Sequence, residues 1–412
     1  MASIRLVGSF GAGGVLYLTP MVFHQEAFSA GDVTGGFAAS ALVGTVARLL
    51  CGLLLQRGVN CTVPVLLAVA TALGGDAVLL GARTLAAYLA GQLLFGIAMG
   101  LYWPAIEMAV PLASPPQPTA AGFALARSAD ALGIAAGTLA GALLAGLGGM
   151  RGVYLVDMAC LVVMGVMLLR APLPDPSRAE GPPPPGRRGR WLAPLLPLLA
   201  IAVVATAMPA LLQSALPLDL VRGGLARPPV SPGLGALTIG SQLVLLMLLQ
   251  WPTGRALARR PVRQGLALSL WSLALGSLLL AVSALASWGM WILLAAQLPL
   301  ALGAAAFLPT ATTAVVELTP AGQRGLAMAC YSQCFAVSAF TAPLVAGRLL
   351  DRQDHAVGLW LGMAAACLLS LLLVRRIGDG PGAAQACESP AGGAGGRQDS
   401  WGRGSVPYSQ SS

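Results

Sequence analysis

The sequence predicts an all-α membrane protein: twelve transmembrane helices arranged as two pseudo-symmetric six-helix bundles. Three observations predict it. Only 24 basic and 15 acidic residues occur among 412, while 57% are hydrophobic. A soluble chain carries about 25% charge and could not cover its surface with so few. Twelve apolar runs reach the roughly 20 residues a helix needs to cross a hydrocarbon core of about 30 Å. The two halves of the chain also repeat each other's residues at a nearly constant offset.

The first-half runs cover 4–24, 33–55, 61–81, 84–108, 118–143 and 152–170. The first resembles a secretory signal in having Arg5 before an apolar stretch and small residues at Ala27–Ala30. Its apolar run is too long for a signal segment and further spans follow, so it reads as an uncleaved helix. Residues 171–191 break the pattern with Pro172, Pro174, Pro176, Pro182 to Pro185, Arg187, Arg188 and Arg190. This is an extended basic linker between a bundle at 1–170 and a second at 192–376. The second-half runs cover 192–214, 233–253, 264–284, 289–313, 325–347 and 357–374. Residues 377–412 are rich in Gly, Ser and Pro and read as a disordered tail. The runs are too long and too uniformly apolar for the alternating strands of a membrane barrel.

Arginine placement sets the orientation. With the N-terminus in the cytoplasm, cytoplasmic segments hold 16 Arg and outer loops 6, with Arg48 and Arg127 inside spans. That bias puts both termini and the linker in the cytoplasm. It also explains the net charge of +9 without a nucleic-acid partner. Every basic residue is Arg, a mark of GC-rich coding, which excludes a Lys Schiff base or a P-loop Lys. The expected setting is the inner (plasma) membrane of a bacterium. Seven scattered Cys and two His (His24, His355) suggest no metal site. No GxSxG, HExxH or P-loop stands in a suitable context, so neither enzymatic activity nor a cofactor is expected.

The internal repeat is specific. Gln92, Pro104, Ala109, Val110 and Pro115 recur as Gln297, Pro309, Ala314, Val315 and Pro320, and Met158 and Arg170 as Met363 and Arg375, all at an offset of 205. Gly52, Leu55 and Arg57 recur as Gly254, Leu257 and Arg259 at 202. The loop after the second span of each half reads Gly52-Leu-Leu-Leu-Gln56-Arg57-Gly58 and Gly254-Arg-Ala-Leu-Ala258-Arg259-Arg260. With the 6+6 count and the basic linker, this loop makes residues 4–376 resemble the major facilitator superfamily, whose signature there is Gly-x-x-x-Asp-Arg-x-Gly. The Gly and Arg match in both halves, whereas Gln56 and Ala258 replace the acid, which puts the usual charge latch in doubt. The family's antiporter signature ends Gly-x-x-x-Gly-Pro. Gly133, Gly137 and Gly141 keep its spacing, but Thr138 stands in place of Pro. That weakens a drug-antiporter assignment.

Ionisable side chains inside a span are costly, about 3 kcal/mol on insertion scales, and mark functional candidates. Arg127 and Asp130 share one face of the fifth span, with Asp130 near mid-span, and Gly133, Gly137 and Gly141 continue it. Gln92, Gly96, Gly100, Trp103 and Glu107 line one face of the fourth span, and Ser40, Gly44, Arg48 and Gly52 one face of the second. The resemblance implies that these helices line a cavity, so the stripes are expected to converge. Arg127, Asp130 and Glu107 then form a buried polar site for a solute's anionic group or a proton, or else pin helices near the cytoplasmic gate. Arg48, Gly52, Arg57, Gly254 and Arg259 are gate and signature-loop candidates. Gln242, Gln297 and Tyr331 are the neutral candidates of the second half. Asp76 and Asp157, on supporting spans, suit a structural pairing with Arg83 or Arg151.

The expected function is transport of a small solute by rocking of the two halves, by a monomer, with protons as an optional coupling ion. Efflux of drugs or amphipaths is an alternative, and a transporter-like sensor or scaffold without flux is another.

Overall fold

The computed structural model describes residues 1–112, 119–173, 192–257, 260–319 and 324–377. The described residues form α-helices and turns without a strand. Six helices precede the linker: α1 (Ala2–Gln25), α2 (Ala30–Gln56), α3 (Thr62–Gly81), α4 (Leu85–Leu112), α5 (Thr119–Gly146) and α6 (Gly152–Arg170). Seven follow: α7 (Leu192–Ser214), α8 (Leu216–Arg222), α9 (Pro232–Leu257), α10 (Val262–Ser283), α11 (Gly289–Leu318), α12 (Arg324–Gln353) and α13 (Val357–Val374). Among the described residues, twelve helices are long and apolar enough to cross a membrane, and each overlaps a predicted run. The exception is α8, whose seven residues the apolar runs do not mark.

The repeat seen in sequence is a repeat of packing. In the first group α1 packs on α5 and α6, α4 on α2 and α3, and α3 on α6. In the second, α7 packs on α12 and α13, α11 on α9 and α10, and α10 on α13. Each contact has its counterpart, and the groups meet through the matching pairs α2–α12 and α5–α9.

Small residues set these contacts, because apolar helices in lipid gain from close packing rather than from hydrophobic exclusion. On α5, Gly133 abuts the Leu6 carbonyl and Gly137 the Phe10 carbonyl of α1. On α4, Gly96 and Gly100 abut the carbonyls of Ser40 and Gly44 on α2. The glycine stripes therefore interlock helices in pairs. This corrects the expectation that all three converge on a cavity: much of each stripe is consumed by helix contact. Exposed Leu side chains cover the outer faces, such as Leu42, Leu143 and Leu169. Exposed Trp251 lies near the end of α9, and exposed Trp288 and Trp291 at the start of α11, as expected for interfacial anchors.

All close glycine approaches between the two groups, among the described residues, lie toward the face opposite the N-terminus. Gly31 and Thr34 of α2 touch Asp351 and Gly347 of α12, Gly146 touches Gly233, Met21 touches Gly235, and Leu139 touches Gly240. Gly240 is the deepest of these along α9, eight residues in, or roughly 12 Å at 1.5 Å per residue. Toward the N-terminal face, Gly52 and Gly254 have nothing within 4 Å of where a side chain would begin. Among the described residues, the groups are thus joined at the far face and show no such glycine seam at the N-terminal one.

Candidate functional site

Charged residues concentrate at the N-terminal end of the first group. Arg5, in the first turn of α1, is buried and paired with Asp130 of α5. The Ser9 hydroxyl, one turn further along α1, donates to the other Asp130 oxygen. Asp130 lies eleven residues into α5 and meets α1 at its first turn, where Arg5 stands. By sequence Arg5 reads as a topology marker, and its place in this site is missed. The i,i+4 spacing of Arg5 and Ser9 is the signal that α1 carries a polar face there.

Arg127 does not pair with Asp130. It donates to Glu107 of α4 at 3.0 Å, and both side chains are about half exposed (53% and 49%). The expected single buried site is thus two ion pairs, one dry and one wet: Arg127 lies about one turn nearer the N-terminal face than Asp130 and reaches the exposed Glu107 there. Trp103 joins them. The Arg5 guanidinium lies 4.7 Å and the Arg127 guanidinium 5.6 Å from its ring centroid, a cation–π bridge worth about 0.5–2 kcal/mol per contact. An exposed Arg held by one carboxylate and a ring can exchange that carboxylate for an anionic group at modest cost. The Arg5–Asp130 pair cannot: breaking it strands a charge in a dry place.

The remaining candidates are dispersed. Arg48 is half-buried, forms no ion pair among the described residues, and leaves Nε unpartnered. Arg57 is exposed, beside Gly58 at φ +82°. Arg259 and Ala258 lie outside the described residues, as does most of the linker and the tail. Gln92, Gln242, Gln297 and Tyr331 are buried on α4, α9, α11 and α12. Gln297 donates to the Leu293 carbonyl of its own helix and leaves its oxygen unpartnered, and the Tyr331 hydroxyl is likewise unpartnered.

The expected partners of Asp76 and Asp157 are also corrected. Arg151 donates to Glu26 at 2.9 Å and to the carbonyls of Leu79 at 3.1 Å and Ala82 at 2.7 Å, so it caps the end of α3. Arg83 is exposed. The two aspartates face each other instead.

At the far face, a capped helix closes the seam. Ser29 and Asp32 form a capping box at the start of α2. Asp351 of α12 accepts the Ala30 and Gly31 N–H groups at 2.8 and 2.6 Å, and the Arg222 guanidinium of α8 at 3.3 Å. Asp219 of α8 is fully buried, paired with Arg227 at 3.0 Å and accepting the Trp360 indole N–H at 3.0 Å. Burial pushes its carboxyl up from the ordinary value, and Arg227 and Trp360 pull it back. Asp351 gives no sequence signal for this role, since an acid near the end of one helix caps another only once the other half is docked.

A family model described as Major Facilitator Superfamily matches residues 1–226 and 191–394. Comparison with curated protein sequences returned no match. Solved structures are similar over nearly the whole chain. A POT family transporter in complex with 5-aminolevulinic acid has a TM-score of 0.76 at 10% identity, covering 90% of this chain and 94% of that one. A point mutant of the nucleoside transporter NupG has 0.76 at 12%, covering 91% and 98%. A peptide transporter POT in complex with sulfate has 0.73 at 14%, covering 92% and 95%. At these identities the likeness is one of fold.

Proposed function

Because the chain belongs to the Major Facilitator Superfamily, a multi-pass membrane transporter and not an enzyme, we propose that it carries a small solute bearing an anionic group by alternating access. One observation carries this reading: the two groups are sealed at the far face by the Asp351 cap and the glycine contacts, while an exposed, exchangeable Arg127–Glu107 pair sits toward the N-terminal face. In this reading the N-terminal face is cytoplasmic in a bacterial inner membrane, and the conformation is inward-open. A solute anion replaces Glu107 on Arg127, stacking against Trp103. Binding then shifts the equilibrium only as far as the solute's affinity differs between the two states. The similar solved structures include a peptide transporter and a complex with 5-aminolevulinic acid, which makes small amino-carboxylates the first class to test.

The test is counterflow into proteoliposomes with a panel of labelled small carboxylates and amino-carboxylates. Accumulation of at least one, abolished by Arg127→Ala, supports the reading. No flux for any of them, or flux indifferent to Arg127→Ala, contradicts it.

A further inference from the structure

Asp76 of α3 and Asp157 of α6 are 0% and 2% exposed, and their carboxyl groups meet inside the first helix group. Neither Asp76 oxygen nor Asp157 Oδ1 has a donor among the described residues. Gly11 of α1 packs directly against Asp157 Oδ1 and leaves no room for a side chain. The titratable groups that border the pair or its cavity are Tyr102 on α4, Asp130 on α5, Tyr154 and Cys160 on α6 and Arg151 at the α6 N-cap, with Arg5 of α1 beside Asp130. The two cations among them are engaged elsewhere, Arg5 by Asp130 and Arg151 by Glu26 and the α3 carbonyls. On α3 itself no second charged residue lies in the helix.

Two ionised carboxylates in contact, buried and without a cation, repel each other and leave three of their four oxygens without a donor. One proton removes both penalties, because the protonated carboxyl donates to its neighbour. The pair also has an access route. A cavity of about 80 Å³ has both Asp157 and Asp130 in its lining, with Ser9, Tyr102 and Trp103 as further polar or aromatic groups and an otherwise apolar wall. That volume has room for a few water molecules, with the two carboxyl groups, Ser9 and Tyr102 as their polar partners. We propose that Asp76 and Asp157 form a proton-binding site that exchanges its proton through this cavity with the Asp130 end of the group. Loading adds one proton to the ionised pair and unloading returns it to water, with no other reactant. The site is independent of the solute, and its test reads proton occupancy and not flux, so either reading can fail alone.

The full chain in nanodiscs is titrated with pH while the infrared absorption of protonated carboxyl groups is recorded. The wild type is expected to keep a protonated-carboxyl band at neutral pH, where an ordinary Asp is ionised, and to lose it as pH rises. Asp157→Asn and Asp76→Asn are each expected to lose the band at neutral pH, since the Asn amide donates to the remaining carboxylate. The wild-type titration stands without a variant, so misfolding of one does not shelter the proposal. Absence of the band in the wild type, its persistence in both variants, or a thermal shift with Na⁺ that replaces it overturns the proposal.

Discussion

Asp351 accepts the Gly31 backbone N–H at 2.6 Å across the seam between the two helix groups. A helix N-terminus in one half is thus capped by a carboxylate of the other. Such a bond requires the two groups to be in contact at the far face, so under the proposed alternating access it acts as a latch.

Removing that latch is expected to open the far face. The acceptor is partly exposed (34%), which limits its worth to about 1–2 kcal/mol. That corresponds to roughly a 5–30-fold population shift. In a cysteine-free background, Thr34→Cys, at a fully buried position, reports it. Its modification by an impermeant thiol reagent is expected to accelerate by that factor in Asp351→Ala. An unchanged rate contradicts the latch.

The dry and wet ion pairs are expected to separate stability from transport. Asp130→Ala strands Arg5, 2% exposed at its side chain, and is expected to cost about 3–5 kcal/mol, read as a large loss of thermal stability. Replacing both partners with apolar residues is expected to recover most of it.

Arg127→Ala and Glu107→Gln act on a half-exposed pair and are expected to change stability by about 1 kcal/mol or less. Their effect is expected in solute flux, at roughly tenfold or more for Arg127→Ala. Equal losses of stability in the dry and wet variants contradict the division of roles.

Gly137→Ala is expected to destabilise by about 1–3 kcal/mol, because its methyl group meets the Phe10 carbonyl of α1. Gly35→Ala on α2, with nothing within 4 Å, serves as the neutral control. Comparable thermal unfolding of the two contradicts the interlocking of α1 and α5.

The helices and their two-fold repetition are legible in the sequence because bilayer thickness fixes span length and because Gln92–Gln297 and Gly52–Gly254 keep their offsets. The glycine faces are legible too, but not their purpose: Gly133 and Gly137 could line a cavity or a neighbouring helix, and only the docked α1 decides. Partnership is the part a single sequence hides. Asp130 pairs with a residue 125 positions away, and Asp351 with backbone groups 321 and 320 away. Arg5 reads as a topology marker because one Arg–Ser step of four residues does not reveal that the first turn of α1 is buried. Without it the Arg bias becomes 15 to 6 and keeps its sign.

The most direct test of alternating access here is a pair of spin-label distances on the same two helices in a cysteine-free chain. One pair, Leu147 and Leu234, reports the far ends of α5 and α9, and the other, Leu125 and Leu248, their N-terminal-face ends; all four side chains are exposed. A short, narrow far-face distance is expected, with a longer one at the N-terminal face. In Asp351→Ala the first should lengthen as the second shortens. Two distances that stay fixed, or move in the same direction, would contradict alternating access about this seam.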